Sequence, residues 1–253
     1  MIQVHELRKV FHDRKRGEVA AVDGLSFEAP AGTVFGLLGP NGAGKTTTLR
    51  ILSTIFKPTS GRVTVMGHDV VREPHLVRKS IGFLSGDTGV YERLTPREMI
   101  EYFGRLYGLS PALLRERKDS LVREFEMESY ADTTCGKLST GMKKKVSIAR
   151  ALVHDPKVII LDEPTSGLDI LISRVLVDYV KRAKEAGKCV IYSTHVMAEA
   201  EKLCDRVAII ADGKKLAEGT VAELRAQTGS PDLEDAFFRL FDARPGAGKA
   251  EPA

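Results

Sequence analysis

The stretch Gly39-Pro40-Asn41-Gly42-Ala43-Gly44-Lys45-Thr46 sets glycines, a lysine and a hydroxyl at the spacing that cradles a phosphate chain. Glycines let backbone N–H groups turn toward phosphate oxygens, and a helix beginning there adds the partial positive charge of its N-terminus. Lys45 would then reach the β- and γ-phosphates, and the Thr46 hydroxyl, next to Thr47, would ligate Mg2+. Further on, the apolar run Val158-Ile159-Ile160-Leu161 leads directly into Asp162 and Glu163. Asp162 suits holding Mg2+ through water, and Glu163 suits orienting or deprotonating an attacking water. Ser193-Thr194-His195 closes another apolar run. If that strand lies parallel to the Asp162 strand, His195 arrives on the γ-phosphate side, where it can hydrogen-bond the transferring phosphoryl group. Alone, an acidic pair is often a loop boundary and a single histidine a solvated cap. Together with the glycine loop they read as nucleotide hydrolysis, with Glu163, His195 and Lys45 as the catalytic groups.

The elements that must position these residues follow from hydrophobic patterning. Ile2 to His5 and Leu25 to Phe27 alternate and suggest an antiparallel, partly exposed sheet, whereas Val34-Phe35-Gly36-Leu37-Leu38 is continuously apolar and reads as a buried parallel strand. A helix is expected from Thr46 to Ile55. From Thr95-Pro96-Arg97-Glu98, a helix start signal, to about Leu138 the pattern becomes amphipathic helix, with Met99, Ile100, Phe103, Leu106 and Tyr107 at helical spacing. Next come a helix over 140–154, the Val158 strand, a helix over 173–186, and strands at Cys189–Tyr192 and Arg206–Ile210. Strands alternating with helices imply an α/β fold with a mainly parallel sheet. The expected organisation is one nucleotide-binding domain over 1–230, with a helical insert at about 90–140. A short C-terminal helix and a loose tail are expected over 231–253.

Composition narrows the class. The 253 residues are 43% hydrophobic and 28% charged, ordinary for a globular chain, and 38 basic against 34 acidic residues are too balanced to imply a nucleic-acid surface. Apolar runs are too short to span a bilayer, and the N-terminal residues lack a secretion-signal pattern, so a cytosolic chain is expected. Cys135, Cys189 and Cys204 form no CxxC and fit reduced thiols without assigned chemistry. Lys143-Lys144-Lys145 is expected to be a solvated helix face.

The order of glycine loop, helical insert, Leu138-Ser139-Thr140-Gly141-Met142, acidic strand, Ser166-Gly167-Leu168-Asp169 and Ser-Thr-His resembles the ATP-binding subunits of ABC transporters over roughly residues 2–220. The resemblance implies a P-loop ATPase core working as a head-to-tail dimer. In it Ser139 and Gly141 bind the γ-phosphate of ATP held by the opposite subunit's Lys45 loop. Asp169 matches a loop crossing the same interface, and Phe11 matches an aromatic stacked on adenine. Two departures stand out. The family usually has Leu-Ser-Gly-Gly-Gln, where this chain has Thr140 and Met142. It also usually has a Mg2+-sensing glutamine where this chain has Gly86, and the only glutamines here are Gln3 and Gln227. Ser85 or Asp87 would have to take over that contact, or it is absent.

The segments Ile81–Thr95 and Gly141–Arg150 are similar to the sodium-efflux, NatA-like branch. The implied protein is an ATP-hydrolysing subunit that uses ATP and Mg2+ and powers export, sodium efflux in that branch. It would do so through a separate permease, as an expected homodimer at the cytoplasmic face of the membrane, with no nucleic acid expected. The permease would dock on the helical insert and the Ser85–Tyr91 loop. Rival readings are a soluble ABC ATPase acting on nucleic acid, the ribosome or an assembly partner, and a regulatory module that binds nucleotide without turnover.

Overall fold

The structure is a computed structural model that describes residues 1–13, 17–86, 89–167 and 170–244. An antiparallel sheet comprises β1 (Ile2–Asp13), β2 (Gly17–Ala29), β4 (Ser60–Val65) and β5 (His68–Asp69), in the order β2-β1-β4-β5. The larger sheet has the order β10-β9-β3-β8-β7-β6, built from β3 (Val34–Leu38), β6 (Ile81–Leu84), β7 (Val158–Asp162), β8 (Cys189–Thr194), β9 (Arg206–Ala211) and β10 (Lys214–Gly219). All its pairings are parallel except β10 on β9.

Alternation along the parallel strands explains their continuous apolar text. Val34 and Leu38, Ile159 and Leu161, Val190 and Tyr192, and Val207 and Ile209 enter the core on one face. Phe35 and Leu37, Val158 and Ile160, Cys189 and Ile191, and Ala208 and Ile210 enter a second core shared with the antiparallel sheet, where Phe27 stacks on Phe35 with ring centroids 4.9 Å apart. Both faces are covered, so every residue is apolar until the strand ends. Burying the four apolar side chains of β7 is worth roughly 6–12 kcal/mol as an upper bound, enough to carry one buried carboxylate at its end.

The helices are α1 (Lys45–Leu52), α2 (Pro74–Ser80), α3 (Pro96–Leu106), α4 (Pro111–Glu124), α5 (Thr140–Leu152), α6 (Ile170–Glu185), α7 (Met197–Leu203), α8 (Val221–Thr228) and α9 (Leu233–Asp242). The start signal at Thr95 is a full capping box: its hydroxyl accepts from Glu98 N at 3.2 Å, and Glu98 Oε2 accepts from Thr95 N at 2.8 Å. The insert is two helices and two short 3-10 turns, at Glu128–Tyr130 and Cys135–Lys137, ahead of α5. Met99 and Ile100 are buried, but Leu106 is 65% exposed despite its helical spacing.

The first two strands run far longer than the alternating pieces suggest, because each supplies the other's hydrogen-bonding partner out to Asp13 and Gly17. The helix after the glycine loop ends at Leu52, short of Ile55, and Thr54 takes φ +63°. The lysine run is not a solvated face. Successive helical residues point about 100° apart, so three in a row cannot share one side. Lys145 is 8% exposed and reaches Glu126 at 3.2 Å, while burial pulls the Lys144 pKa below its ordinary value. The three cysteines are free and buried. No helix among the described residues is long and apolar enough to cross a membrane. The tail residues 245–253 lie outside the described residues.

Candidate functional site

The glycine loop leaves β3 at the carboxyl end of the parallel sheet, and each of its glycines has a physical reason. At Gly39 a Cβ would sit 2.2 Å from the Ile210 carbonyl oxygen, so only a bare backbone fits beside β9. Gly42 has φ +83°, and Gly44 combines φ +100° with a carbonyl, that of Ala21, 2.3 Å from where its Cβ would be. Ala43 N donates to Pro40 O at 3.2 Å, and Gly213 N, from the β9–β10 turn, donates to Ala43 O at 3.1 Å. Gly44 caps α1 without a side chain, so the first N–H groups of the helix face the loop interior. Lys45 is 4% exposed and folds back into the loop, donating to Gly39 O at 2.6 Å and Pro40 O at 3.1 Å. Desolvation lowers its pKa, opposed by the charges of Glu163 and Asp162.

The acids come from β7. Register pairs Asp162 with Ser193 on parallel β8, and the Ser193 hydroxyl donates to Asp162 Oδ1 at 3.0 Å in a fully buried setting. The chain then turns sharply, with Glu163 at φ +44°, a left-handed conformation rare for a side chain of this size. Glu163 N donates to Ser193 O at 3.0 Å. This turn aims the carboxylate back across the sheet edge, where its Oε1 lies 3.4 Å from Lys45 Nζ and 3.2 Å from His195 Nδ1. His195 arrives there because β8 is parallel to β7 and ends at Thr194. Three residues from three separate segments therefore meet around one carboxylate oxygen.

A cleft of about 350 Å³ opens against them, lined by Phe11, Ala21, Asn41, Gly42, Ala43, Gly44, Lys45, Thr46, Thr47 and Glu163. Gly39 and Pro40 contribute the carbonyls behind Lys45. Phe11, on β1, is partly exposed at the rim, with its ring 5.6 Å from Phe56 and 4.9 Å from Lys9 Nζ. Ser139 and Gly141 do not line this cleft. Ser139 is exposed and caps α5, its hydroxyl accepting from Met142 N at 3.3 Å. Asp169 and Asp87 lie outside the described residues. Ser85 is buried, and Gly86 is exposed with open space where a side chain would project.

Reading the sequence left several polar groups beside the site without a role. Besides Ser193, the Glu199 carboxylate on α7 accepts hydroxyls from Thr165 at 2.6 Å, Tyr192 at 3.1 Å and Thr194 at 3.0 Å. Hydroxyls appearing at the end of an otherwise apolar buried strand were the available signal for Ser193 and Thr194. Glu199 gave none, because its partners are brought to it only by the fold.

Comparison with known proteins accords with this geometry. The family profile described as ABC transporter matches residues 22–166. The chain is 41% identical over 239 residues to the ABC transporter ATP-binding protein NatA of Bacillus subtilis (strain 168), covering 94% of this chain and 97% of that protein. Among solved structures, an ATP-binding subunit of an ABC transporter superposes with a TM-score of 0.87 at 30% identity, covering 95% of this chain and 99% of that one. A dimeric ATP-binding cassette in a post-hydrolysis state, bound to ADP and Pi, superposes with a TM-score of 0.79 at 26% identity over 87% of this chain and 98% of its own. Phosphate loop, acidic strand and histidine strand thus sit on a shared fold along nearly the whole chain, which belongs to the ABC transporter family as an ATP-binding, ATP-hydrolysing subunit.

Proposed function

We propose that this subunit powers export through a separate membrane permease, hydrolysing MgATP in the cleft between Phe11 and Glu163. The convergence of Lys45, Glu163 and His195 on one carboxylate oxygen carries this reading. The adenine packs against Phe11. The triphosphate lies along Gly39 to Thr47, its oxygens taking up backbone N–H groups and the Lys45 ammonium. Glu163 takes a proton from a water whose oxygen bonds to the γ-phosphorus. The bond from that phosphorus to the β–γ bridging oxygen breaks, giving ADP and phosphate. His195, braced by Glu163, donates to the γ-phosphate oxygens as charge shifts.

The residues present fit Mg2+. Asp162 is a buried carboxylate that holds one hydroxyl donor, and the Thr46 hydroxyl lines the cleft: hard oxygen donors of the kind this ion takes. When bound, the ion neutralises charge on the β- and γ-oxygens.

Ser139, exposed, and Gly141, half-buried, lie away from their own cleft and are suited to complete the site of a second copy. A head-to-tail homodimer closing on two ATP molecules is the assembly this supports, and the dimeric cassette bound to ADP and Pi is consistent with it. The permease docks on the helical insert, where Tyr91, Tyr102 and Leu106 are exposed, and the subunit would then sit at the cytoplasmic face of the membrane. Sodium ion is the cargo that the NatA-like sequence supports, and selectivity resides in the permease.

Glu163→Gln tests the reading. It should stop steady-state turnover while an ATP-bound dimer accumulates on size-exclusion chromatography, and unimpaired turnover would remove Glu163 from the role of base.

A further inference from the structure

We propose that Glu199 is a positioning residue that locks the segment carrying Glu163 to the segment carrying His195. This rests on the reading that these two residues act on the γ-phosphate. Thr165 lies two residues beyond Glu163, on the loop that leaves β7 through the left-handed turn, and its hydroxyl donates to Glu199 Oε1 at 2.6 Å. Thr194 immediately precedes His195, and its hydroxyl donates to Glu199 Oε2 at 3.0 Å. Tyr192, fully buried two residues earlier on the same strand, donates its phenol to the same oxygen at 3.1 Å. Thr194 Oγ1 in turn accepts from Val196 N at 2.9 Å, fixing the backbone on the far side of His195.

One carboxylate on the first turn of α7 therefore gathers hydroxyls from both strand ends. Hydrogen bonds to an ionised acceptor are shorter and stronger than neutral ones, and Tyr192 and Thr194 are almost wholly excluded from water. Burial also raises the Tyr192 pKa, which keeps the phenol protonated and donating. On the opposite side of the two segments, Ser193 makes the complementary link through Glu163 N and Asp162. Glu163 and His195 are thus held between two clamps. The Ser193 clamp is local to the strand pair, whereas the Glu199 clamp comes from a helix that follows His195 in the chain.

Such a residue acts on geometry rather than on ATP affinity, because neither Thr165, Thr194 nor Glu199 lines the nucleotide cleft. The test is steady-state ATPase kinetics of the purified full chain with MgATP, alongside binding of a fluorescent ATP analogue and thermal melting. Glu199→Ala should lower kcat by about 10- to 100-fold, the scale of small misplacements of reacting groups, with KM and analogue affinity within about twofold. Glu199→Gln, which retains an acceptor oxygen, should recover part of the loss. Thr165→Val keeps the side-chain shape and removes the hydroxyl that ties the Glu163 segment to Glu199, leaving the Ser193 link in place. It should lower kcat by at least about threefold at an unchanged melting temperature, and it decides the matter if Glu199→Ala fails to fold. Unchanged kcat in Thr165→Val, or a loss confined to KM, overturns the proposal. Glu163→Gln is run in parallel: normal turnover there defeats the underlying reading, whereas an inactive Glu163→Gln beside a fully active Thr165→Val defeats only the role of Glu199.

Discussion

The glycines of the phosphate loop should fail in different ways when each is replaced by alanine, although a sequence motif treats them alike. Gly39 does not need a left-handed conformation, but its added Cβ would lie 2.2 Å from the Ile210 carbonyl oxygen. Relief requires separating β3 from β9 by about 0.8 Å at a point where they are paired through Leu38 and Ile209. Ordinary overpacking costs about 1–3 kcal/mol, and an overlap with backbone in a central strand belongs at or above the top of that range. At about 2–4 °C per kcal/mol for a chain of this size, Gly39→Ala should melt at least about 6 °C lower, or not fold. Gly42 meets the opposite situation: φ +83° but no atom within 4 Å of the new Cβ. An L-residue there costs roughly 1–2 kcal/mol, a melting shift of about 2–8 °C. Gly42 also lines the cleft, and where the added methyl displaces one charge-assisted phosphate contact, ATP binding should weaken at least about tenfold. Gly44→Ala incurs both costs, since φ +100° coincides with the Ala21 carbonyl at 2.3 Å. Melting by differential scanning fluorimetry and titration with a fluorescent ATP analogue separate the two quantities. If Gly39→Ala melts like the parent, or Gly42→Ala proves the less stable of the two, the steric account of the loop is wrong.

Two further outcomes can be measured. Gly86→Gln has open space and an unstrained backbone, so it should change the melting temperature by no more than about 2 °C, as exposed substitutions do, while raising ATPase rate and its stimulation by the permease; no change in either activity removes any importance from this position. His154, whose Nε2–H donates to Ile81 O at 2.9 Å, is pushed down from 6.5 to about 4, chiefly by burial, with Lys188 and Arg117 adding to the effect. The unfolded chain therefore takes up this proton first as pH falls. Stability present above about pH 6.5 is lost on the way down to about pH 4, by up to roughly 3 kcal/mol before discounting partial exposure. His154→Phe, which keeps the stack on Tyr107, should flatten that part of the pH dependence of urea midpoints, and identical pH slopes for parent and variant would refute it.

How much of this was legible depended on whether the determinant was local. The strands β3 and β7 were readable because burial on both faces forces an unbroken apolar run, and the residue that breaks the run, Gly39 after β3 and Asp162 at the end of β7, marks the site. The β9–β10 hairpin was missed, although Asp212-Gly213 is a turn signal, because the edge strand Lys214–Gly219 is too polar to stand out. Likewise α8 carries a capping box, Thr220 with Glu223, that went unread before a short, weakly patterned helix. The lysine run misled because charge was treated as a statement about solvent when helical rotation already scattered the three side chains. Glu199 was out of reach for a different reason: its carboxylate is meaningful only once β7 and β8 lie side by side.

The buried charges at the sheet edge show why such a site is stable enough to exist and still open to a ligand. Lys45, Asp162, Ser193 and Thr194 are all nearly water-free, which would be unfavourable for each alone. The costs offset one another unequally. Asp162 and Ser193 satisfy one another across the strand pair, and Thr194 is satisfied by Glu199, so these groups are fixed by the protein itself. Lys45 is different: desolvation dominates its pKa shift, its donors go to the weak neutral acceptors Gly39 O and Pro40 O, and the nearest carboxylate stands off at 3.4 Å. A triphosphate offers that ammonium stronger, charged acceptors than either carbonyl. The interactions that order the strand ends therefore leave Lys45 free of them, and on the proposed function Lys45 is the group of these four whose closest partners, two carbonyls, a triphosphate would replace.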